Sequence, residues 1–497
     1  MEKGKIGAGA NGIHLNLGGK NTLSLSISDN SLQIYEPGPR NRLRSACKSI
    51  ITGYSSGLCT IPAYNILWLE VSSRKLVIDY AAQPSKTSIK LETWTFDLES
   101  ESEPENSELE KFVSDVFAQA YRGSRLRMRA LVLINPNSGP GGALHKWKND
   151  VLPLLRAARM ELEVETLQKG GEATKIVEKI DIEKYDTIMA CSGDGTCHEI
   201  FNGLAKRPDA ARALSRIAVS HIPCGSGNAM SCNLYGTHRA ARAALAIIKG
   251  RVTPLDLVSI TQGSRRFVSF LSQSLGMIAE SDLGTENLRW MGGTRFEVGV
   301  LMRIFRRQCY PCDLAVKVEI PDKKDIKAHY KQRASEKTAQ DIPTINGATD
   351  KDSSGLPPLK YGTVQDALPE GWELVKHDKI GNFYCGNMAY MAPDANFFPA
   401  ALASDGYMDL VTINGDLSPI KATKLLFSVE SGKFFDNAHV LYQKISAYRI
   451  IPRDQDDGFI SIDGERVPFE PFQAEIHQGL GRVISKRGIY EANGPAH

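Results

Sequence analysis

Ser192-Gly193-Asp194-Gly195-Thr196-Cys197-His198-Glu199-Ile200-Phe201-Asn202-Gly203 is the stretch on which the fold turns. It follows a strand-like run, Thr187 to Cys191, and leads into a helix-like one, His198 to Lys206. Two further glycine-rich turns stand in the same context on either side: Asn135-Pro136-Asn137-Ser138-Gly139-Pro140-Gly141-Gly142 and Gly225-Ser226-Gly227-Asn228. A strand-to-helix turn without side-chain bulk lets backbone N–H groups and a helix N-terminus face an anion. In a parallel sheet such turns share one edge, so three of them can line a single phosphate-sized crevice. The carboxylate of Asp194 in the middle turn moves the reading from nucleotide binding towards chemistry.

Outward from these turns the chain alternates strand and helix. Strand-like runs are Ala130 to Ile134, Leu162 to Leu167, Thr187 to Cys191 and Ile217 to Ile222; helix-like runs are Ala143 to Arg159, Thr174 to Lys179, His198 to Lys206 and Ala240 to Lys249. That order predicts a parallel sheet with right-handed crossovers, an α/β nucleotide-binding lobe over residues 126–255. After Pro254 the texture reverts to strands such as Leu257 to Thr261 and Phe267 to Leu271. This predicts a second, antiparallel β-sandwich lobe over 256–488, with helical periodicity only in Phe296 to Arg307 and Ile420 to Ser428. The polar stretch 321–374 reads as a disordered insertion, because it is too poor in apolar residues to fold alone. Residues 1–122 read as a β-rich module of short strands closed by an amphipathic helix, Leu109 to Tyr121. Both a pleckstrin-homology-like domain and a plain small β-domain fit that shape.

The 497 residues carry a formal charge of +3, too little to argue for nucleic acid, and no nucleic-acid-reading motif occurs. Basic clusters at Arg122, Arg125, Arg127 and Arg129, and at Arg303, Arg306 and Arg307, suit either a solvated face or anionic lipid headgroups. The nine cysteines are scattered and only Cys309-x-x-Cys312 has metal-like spacing, without a second pair. Reduced thiols in a cytosolic protein are therefore expected rather than zinc. No apolar run approaches the length of a membrane span, and Met1 to Gly19 lacks the apolar segment of a signal peptide. A cytoplasmic protein working on membranes from the aqueous side is the expectation.

The first turn is neither a GxxxxGK[ST] loop nor a Rossmann GxGxxG. A nicotinamide-dependent enzyme is disfavoured further by the absence of an acidic ribose-binding residue at the expected offset. Taken together, Asn135-Pro136-x-x-Gly139, Ser192-Gly193-Asp194-Gly195-Thr196-x-His198-Glu199-x-x-Asn202-Gly203, Pro223-x-Gly225-Ser226-Gly227-Asn228 and Asp463-Gly464-Glu465 resemble the diacylglycerol-kinase-type catalytic domain. Within it they resemble the sphingoid-base (sphingosine-type) kinases. The resemblance spans roughly 128–320 and 375–488.

It implies an ATP- and Mg²⁺-dependent lipid kinase in which Asp194 accepts the proton of the lipid hydroxyl. It assigns nucleotide contacts to Asn135, Pro136, Asn137, Thr166, Glu199, Gly225, Ser226, Gly227, Asp463, Gly464 and Glu465, and phosphate contacts to Arg289 and Arg295. The family's His-Ala pair after Thr166 is replaced by Glu172-Ala173. Substrate contacts fall on Ser192, Gly193, Asp194, Gly195 and Ser272. Asp282 falls where sphingoid-base kinases hold the cationic amine, which diacylglycerol and ceramide lack. Walls for an acyl slot are expected among Leu275, Met277, Ile278, Leu301, Met302 and Phe305. The sequence thus predicts a sphingoid-base kinase in peripheral contact with intracellular membranes. A diacylglycerol or ceramide kinase, or a lipid-binding relative without activity, stands as the alternative.

Overall fold

The computed structural model describes residues 12–17, 21–28, 30–36, 53–55, 58–72, 74–98, 106–283, 307–339, 355–455 and 457–495. The chain forms two compact units: Met1–Met128 with His145–Glu161 and Arg239–Arg251, and Arg129–Leu144 with Leu162–His238 and Val252–His497.

In the first unit, strict apolar/polar alternation builds antiparallel sheets with one buried face. Ser31–Tyr35 and Leu58–Pro62 alternate in this way, burying Leu32, Ile34, Cys59 and Ile61. They are neighbours in a five-stranded sheet ordered Gly12–Leu17, Asn21–Ser28, Ser31–Tyr35, Leu58–Pro62, Gly53–Ser55. Ile66–Ser72, Lys75–Ser85 and Ser88–Asp97 form a three-stranded meander. The helix Asn106–Ala120 buries Phe112, Val116 and Ala120, one residue per turn, and Tyr121 just beyond it donates to the Leu67 carbonyl at 2.6 Å. Two guanidiniums, of Arg127 and Arg159, stack on the Trp68 ring at 4.8 and 5.4 Å. The buried Lys249 ammonium donates to the Ile66 carbonyl and lies over the Tyr121 ring; burial holds its pKa far below the ordinary lysine value. Seven cysteines, Cys191 to Cys385, are free thiols, but Cys59 is disulfide-bonded, which corrects the expectation that all thiols are reduced. Cys309 and Cys312 are both free, and no cluster of three metal-ligating side chains forms among the described residues.

The second unit is organised by one mixed sheet of fifteen strands. Arg129–Ile134, Thr187–Ser192 and Ala218–Pro223 pair in parallel, with Glu161–Thr166 at the outer edge. All six residues of Thr187–Ser192 are buried, as expected of a parallel strand covered on both faces. A separate antiparallel lobe was expected after Pro254; instead the hydrogen bonding is continuous. Strand Phe472–Ser485 is long enough to serve both halves. Phe472 to Glu475 pair antiparallel with Leu441–Pro452, and Arg482 and Val483 pair in parallel with Ala218–Pro223. From Leu441–Pro452 the sheet continues antiparallel through Met408–Asn414, Ile380–Gly386, Ser272–Gly276, Ile460–Ile462 and Glu465–Val467. Phe383, Tyr448 and Phe472 make the aromatic centre of its core, with ring centroids 4.9 and 5.7 Å apart.

The supposedly disordered insertion is largely structured. It contains the helix Lys323–Ala339 and an extended strap from residue 355 onward. Among its described residues the helix fully buries only Ile326, and it is held by polar ties: Lys323 to the Asn437 carbonyl, Lys327 to Asp436 and His329 to Asp405. The strap is read through its backbone. Glu475 accepts the Lys360 and Tyr361 amides, while Arg449 donates to the Thr363 and Asp366 carbonyls. Composition misjudged this stretch because its partners are buried polar side chains on the sheet rather than apolar residues of its own. Residues 340–354, and the expected helix Phe296 to Arg307 except its last residue, lie outside the described residues. The expected helix Ile420 to Ser428 is present as Pro419–Glu430.

Candidate active site

The three glycine turns meet at the C-terminal edge of the parallel strands, all within the second unit. Gly139 has φ +57°, and a Cβ there would stand 2.8 Å from the Cys224 carbonyl. A Cβ on Gly225 would stand 2.5 Å from the Gly193 Cα. Glycine at these two positions is what allows the turns to touch through backbone alone. The Asn135 side chain accepts the Asn137 amide, and the Asn228 side chain accepts the Gly225 amide while donating back to its carbonyl. The asparagines therefore set the turns, whereas Asn137 and Ser226 stay exposed.

Asp194 opens the helix Asp194–Ala205, which starts four residues before the predicted point because extended Gly193 serves as its N-cap. Its two carboxylate oxygens accept the Ala229 and Met230 amides at 2.9 and 3.0 Å. Asp194 thus caps the helix Ala229–Tyr235, which joins the second turn to the third. These bonds aim the carboxylate. Cys232 close by is pushed up to about 12, by burial first and then by the Asp194 charge, and Cys197 is raised well above its ordinary value for the same reasons plus the Asp463 charge. Neither thiol is a nucleophile at neutral pH.

His221 was missed by sequence reasoning. It is fully buried on Ala218–Pro223; its Nε2 lies 2.9 Å from the Ser192 carbonyl, while its Nδ1 has no hydrogen-bond partner and faces Asp194 Oδ1 at 3.8 Å. The available signal was a titratable residue inside a strand-like run, four residues before Gly225.

The Asp463-Gly464 pair is a two-residue hairpin turn between Ile460–Ile462 and Glu465–Val467, with φ +54° and +85°. The turn splits the motif. Asp463 points inward and is saturated: its carboxylate accepts Ser269 Oγ and the amides of Phe270, Leu271 and Ser272, and meets His198 Nδ1 at 2.8 Å. Glu465 points outward, and its carboxylate lies where a Cβ on Gly195 would be, 2.7 Å away. Glu199 is likewise engaged, accepting the Gly171 and Ala173 amides at the start of Glu172–Lys179. Thr166 is exposed at the end of Glu161–Thr166. Ser272 is buried on Ser272–Gly276, its own backbone amide held by Asp463. Asp282 lies on the helix Met277–Leu283, and Arg289 and Arg295 fall outside the described residues.

An apolar cleft with about 630 Å³ of empty space, its open mouth included, is lined by Met277, Ile278, Phe397, Ile413, Leu425 and Phe434, among others. Two expected wall residues, Met277 and Ile278, are among them. Leu275 instead belongs to the core of the mixed sheet; Leu301, Met302 and Phe305 lie outside the described residues.

Residues 129–260 match the diacylglycerol kinase catalytic domain, and residues 14–122 match a domain of unknown function. The sphingoid long chain base kinase 5 of Saccharomyces cerevisiae is 33% identical, covering 94% of this chain and 75% of its own. The sphingoid long chain base kinase 4 of Schizosaccharomyces pombe is 29% identical, covering 93% of this chain and 98% of its own. Human sphingosine kinase 1 is 27% identical over 72% of this chain and 91% of its own. A solved structure from Bacillus anthracis described as a diacylglycerol kinase superposes with a TM-score of 0.50 at 19% identity, covering 73% of this chain and 97% of its own, which supports the shared fold. With three glycine turns closed on one carboxylate and a relative 33% identical over 94% of this chain, the chain belongs to the sphingoid long-chain base kinases of the diacylglycerol kinase catalytic family.

Proposed function

We propose that this protein transfers the γ-phosphoryl group of ATP to the primary hydroxyl of a sphingoid long-chain base, giving the 1-phosphate. The observation that carries this is the convergence of three bare-backbone turns on Asp194. Phosphoryl transfer asks for an anion cradle, charge neutralisation and a group near the attacking oxygen. The turn amides supply the first, with Asn135, Pro136, Asn137, Gly225, Ser226 and Gly227 on the nucleotide side and Thr166 and Glu465 at its margins; Arg289 and Arg295 would add guanidinium charge for the phosphates. Asp194, capping one helix and opening another, takes the hydroxyl proton. A carboxylate suits a transition state in which that proton leaves late. When bound, Mg²⁺ spreads the charge on the phosphoryl oxygens. Glu465, whose carboxylate lies against Gly195 of the second turn, is the residue that would hold such a cation beside the nucleotide.

The saturated contacts of Asp463 and Glu199 support a reading in which both act through the loops they hold, Phe270 to Ser272 and Gly171 to Ala173. The apolar cleft, walled by Met277, Ile278, Phe397 and Leu425, would take the hydrocarbon tail. Asp282, on the helix that begins with the cleft residues Met277 and Ile278, would meet the ammonium group. Work at a membrane surface and a pleckstrin-homology-like role for the N-terminal module belong to the same proposal.

The test is a lipid panel offered with magnesium-ATP on mixed micelles. Long-chain amino alcohols should be phosphorylated, diacylglycerol and ceramide should not, and Asp194→Asn should lower turnover by about 10²–10⁴-fold with nucleotide binding retained. Asp282→Ala should erode the preference for amine-bearing lipids. Absence of product from every amino alcohol defeats the assignment; equal turnover of diacylglycerol would favour the broader lipid kinase.

A further inference from the structure

We propose that the outward face of the helix Pro419–Glu430 is the surface by which this protein docks on an anionic lipid bilayer. The idea rests on the lipid-kinase reading above and adds the place of contact. The helix is apolar on two opposite sides. Its inner side, Ala422, Leu425, Leu426 and Val429, lines the apolar cleft. On the outer side Ile420 is 71% and Phe427 60% exposed, the highest values for large apolar side chains among the described residues. Spaced seven apart, they lie on one stripe two turns long, with exposed Lys424 between them and exposed Lys421 beside them.

Scattered single exposed apolar residues need no explanation, but this stripe is not a scatter. An inward apolar side is already accounted for by the cleft. A second apolar stripe bearing an aromatic ring, an isoleucine and two lysines is the composition of a helix lying in the plane of a membrane interface. Neither Lys421 nor Lys424 has an ion-pair partner among the described residues, so both charges are available to anionic headgroups; Glu430 sits at the margin of the stripe. The lysine stems also let the ammonium groups reach headgroups while the ring and the isoleucine enter the acyl boundary. The result is geometric economy: one helix touches the bilayer on one side and the proposed tail site on the other. A single-chain amphiphile can then leave the membrane alongside the helix with little exposure of its tail to water.

The experiment is flotation of the full chain with phosphatidylcholine vesicles, with and without phosphatidylserine. Unmodified protein should float with the phosphatidylserine vesicles and less with phosphatidylcholine alone. Lys421→Glu with Lys424→Glu should weaken binding by about fivefold or more per lysine, the loss easing at high salt. Ile420→Ser with Phe427→Ser should abolish flotation on both compositions. Turnover of substrate in detergent micelles, which asks no docking, should stay unchanged in both variants, and thermal melting should confirm their folding. Flotation of the serine variant at the unmodified level overturns the proposal, as does failure of the unmodified protein to float. A concentration-dependent dimer that the same substitutions dissolve would overturn it in favour of a second copy on this face. Loss of micellar activity in the unmodified protein would instead count against the kinase reading alone.

Discussion

At the residue scale, the site is a problem of backbones in contact. Gly225 and Gly193 meet where any β-carbon would intrude to 2.5 Å. Gly225→Ala should therefore pry the second and third turns apart, at a cost of about 1–3 kcal/mol. Isothermal titration with ATP should show weakened nucleotide binding, and differential scanning calorimetry a lower Tm. His221 carries a second prediction. Its unpartnered Nδ1 faces Asp194 Oδ1 at 3.8 Å, so the buried imidazole bears on where that carboxylate sits. His221→Asn should lower kcat by about tenfold through a less well-placed Asp194, while KM for ATP stays near its starting value. Steady-state kinetics with both substrates varied would separate this from general damage, which would move KM as well.

At the element scale, polar side chains hold loops that apolar packing does not. The strand Phe472–Ser485 shows how this depends on pH. His477 accepts at Nε2 from Ser259 and Arg266, so it is neutral in the folded protein. Burial first, and then the Arg266 charge, lower its pKa from 6.5 to about 4; Glu475, 3.7 Å away, is the carboxylate facing it. For a base whose folded pKa is depressed, the unfolded chain takes up the proton first as pH falls. The stability from neutral His477 is therefore complete above about pH 6.5 and drains away down to about pH 4, by up to about 3 kcal/mol. Urea unfolding across that range should show this slope, and His477→Gln should flatten it by that amount. The strap from residue 355 was misread in sequence for a related reason. Its attachment points, Arg449, Gln473 and Glu475, lie about a hundred residues further along the chain. The helix Pro419–Glu430 was legible because its apolar spacing is local.

At the scale of the whole molecule, the second unit buries an ionic cluster far from the glycine turns in sequence. The Lys444 ammonium, fully buried, meets Asp405 at 2.9 Å and Asp409 at 3.0 Å, and Tyr442 donates to Asp409 at 2.7 Å. Burial raises the Asp409 pKa to about 6 despite the Lys444 charge, while Asp405, with His329 also beside it, stays below its ordinary value in spite of burial. Lys444→Met would leave two carboxylates buried without their cation and should cost about 3–5 kcal/mol. Chemical denaturation would measure it, and pairing the substitution with Asp405→Asn and Asp409→Asn should recover much of the loss.

The sequence by itself determined the parallel strands, the three turns, Asp194 and the family, because periodicity, glycine spacing and a carboxylate in a turn are local signals. Only the tertiary structure decided that the two expected lobes share one sheet, that Asp463 is spent on three successive amides and a histidine, and that His221 stands behind Asp194. Each depends on strands far apart in the chain reaching one register, where the pairing geometry, not the order of residues, fixes which side chains meet.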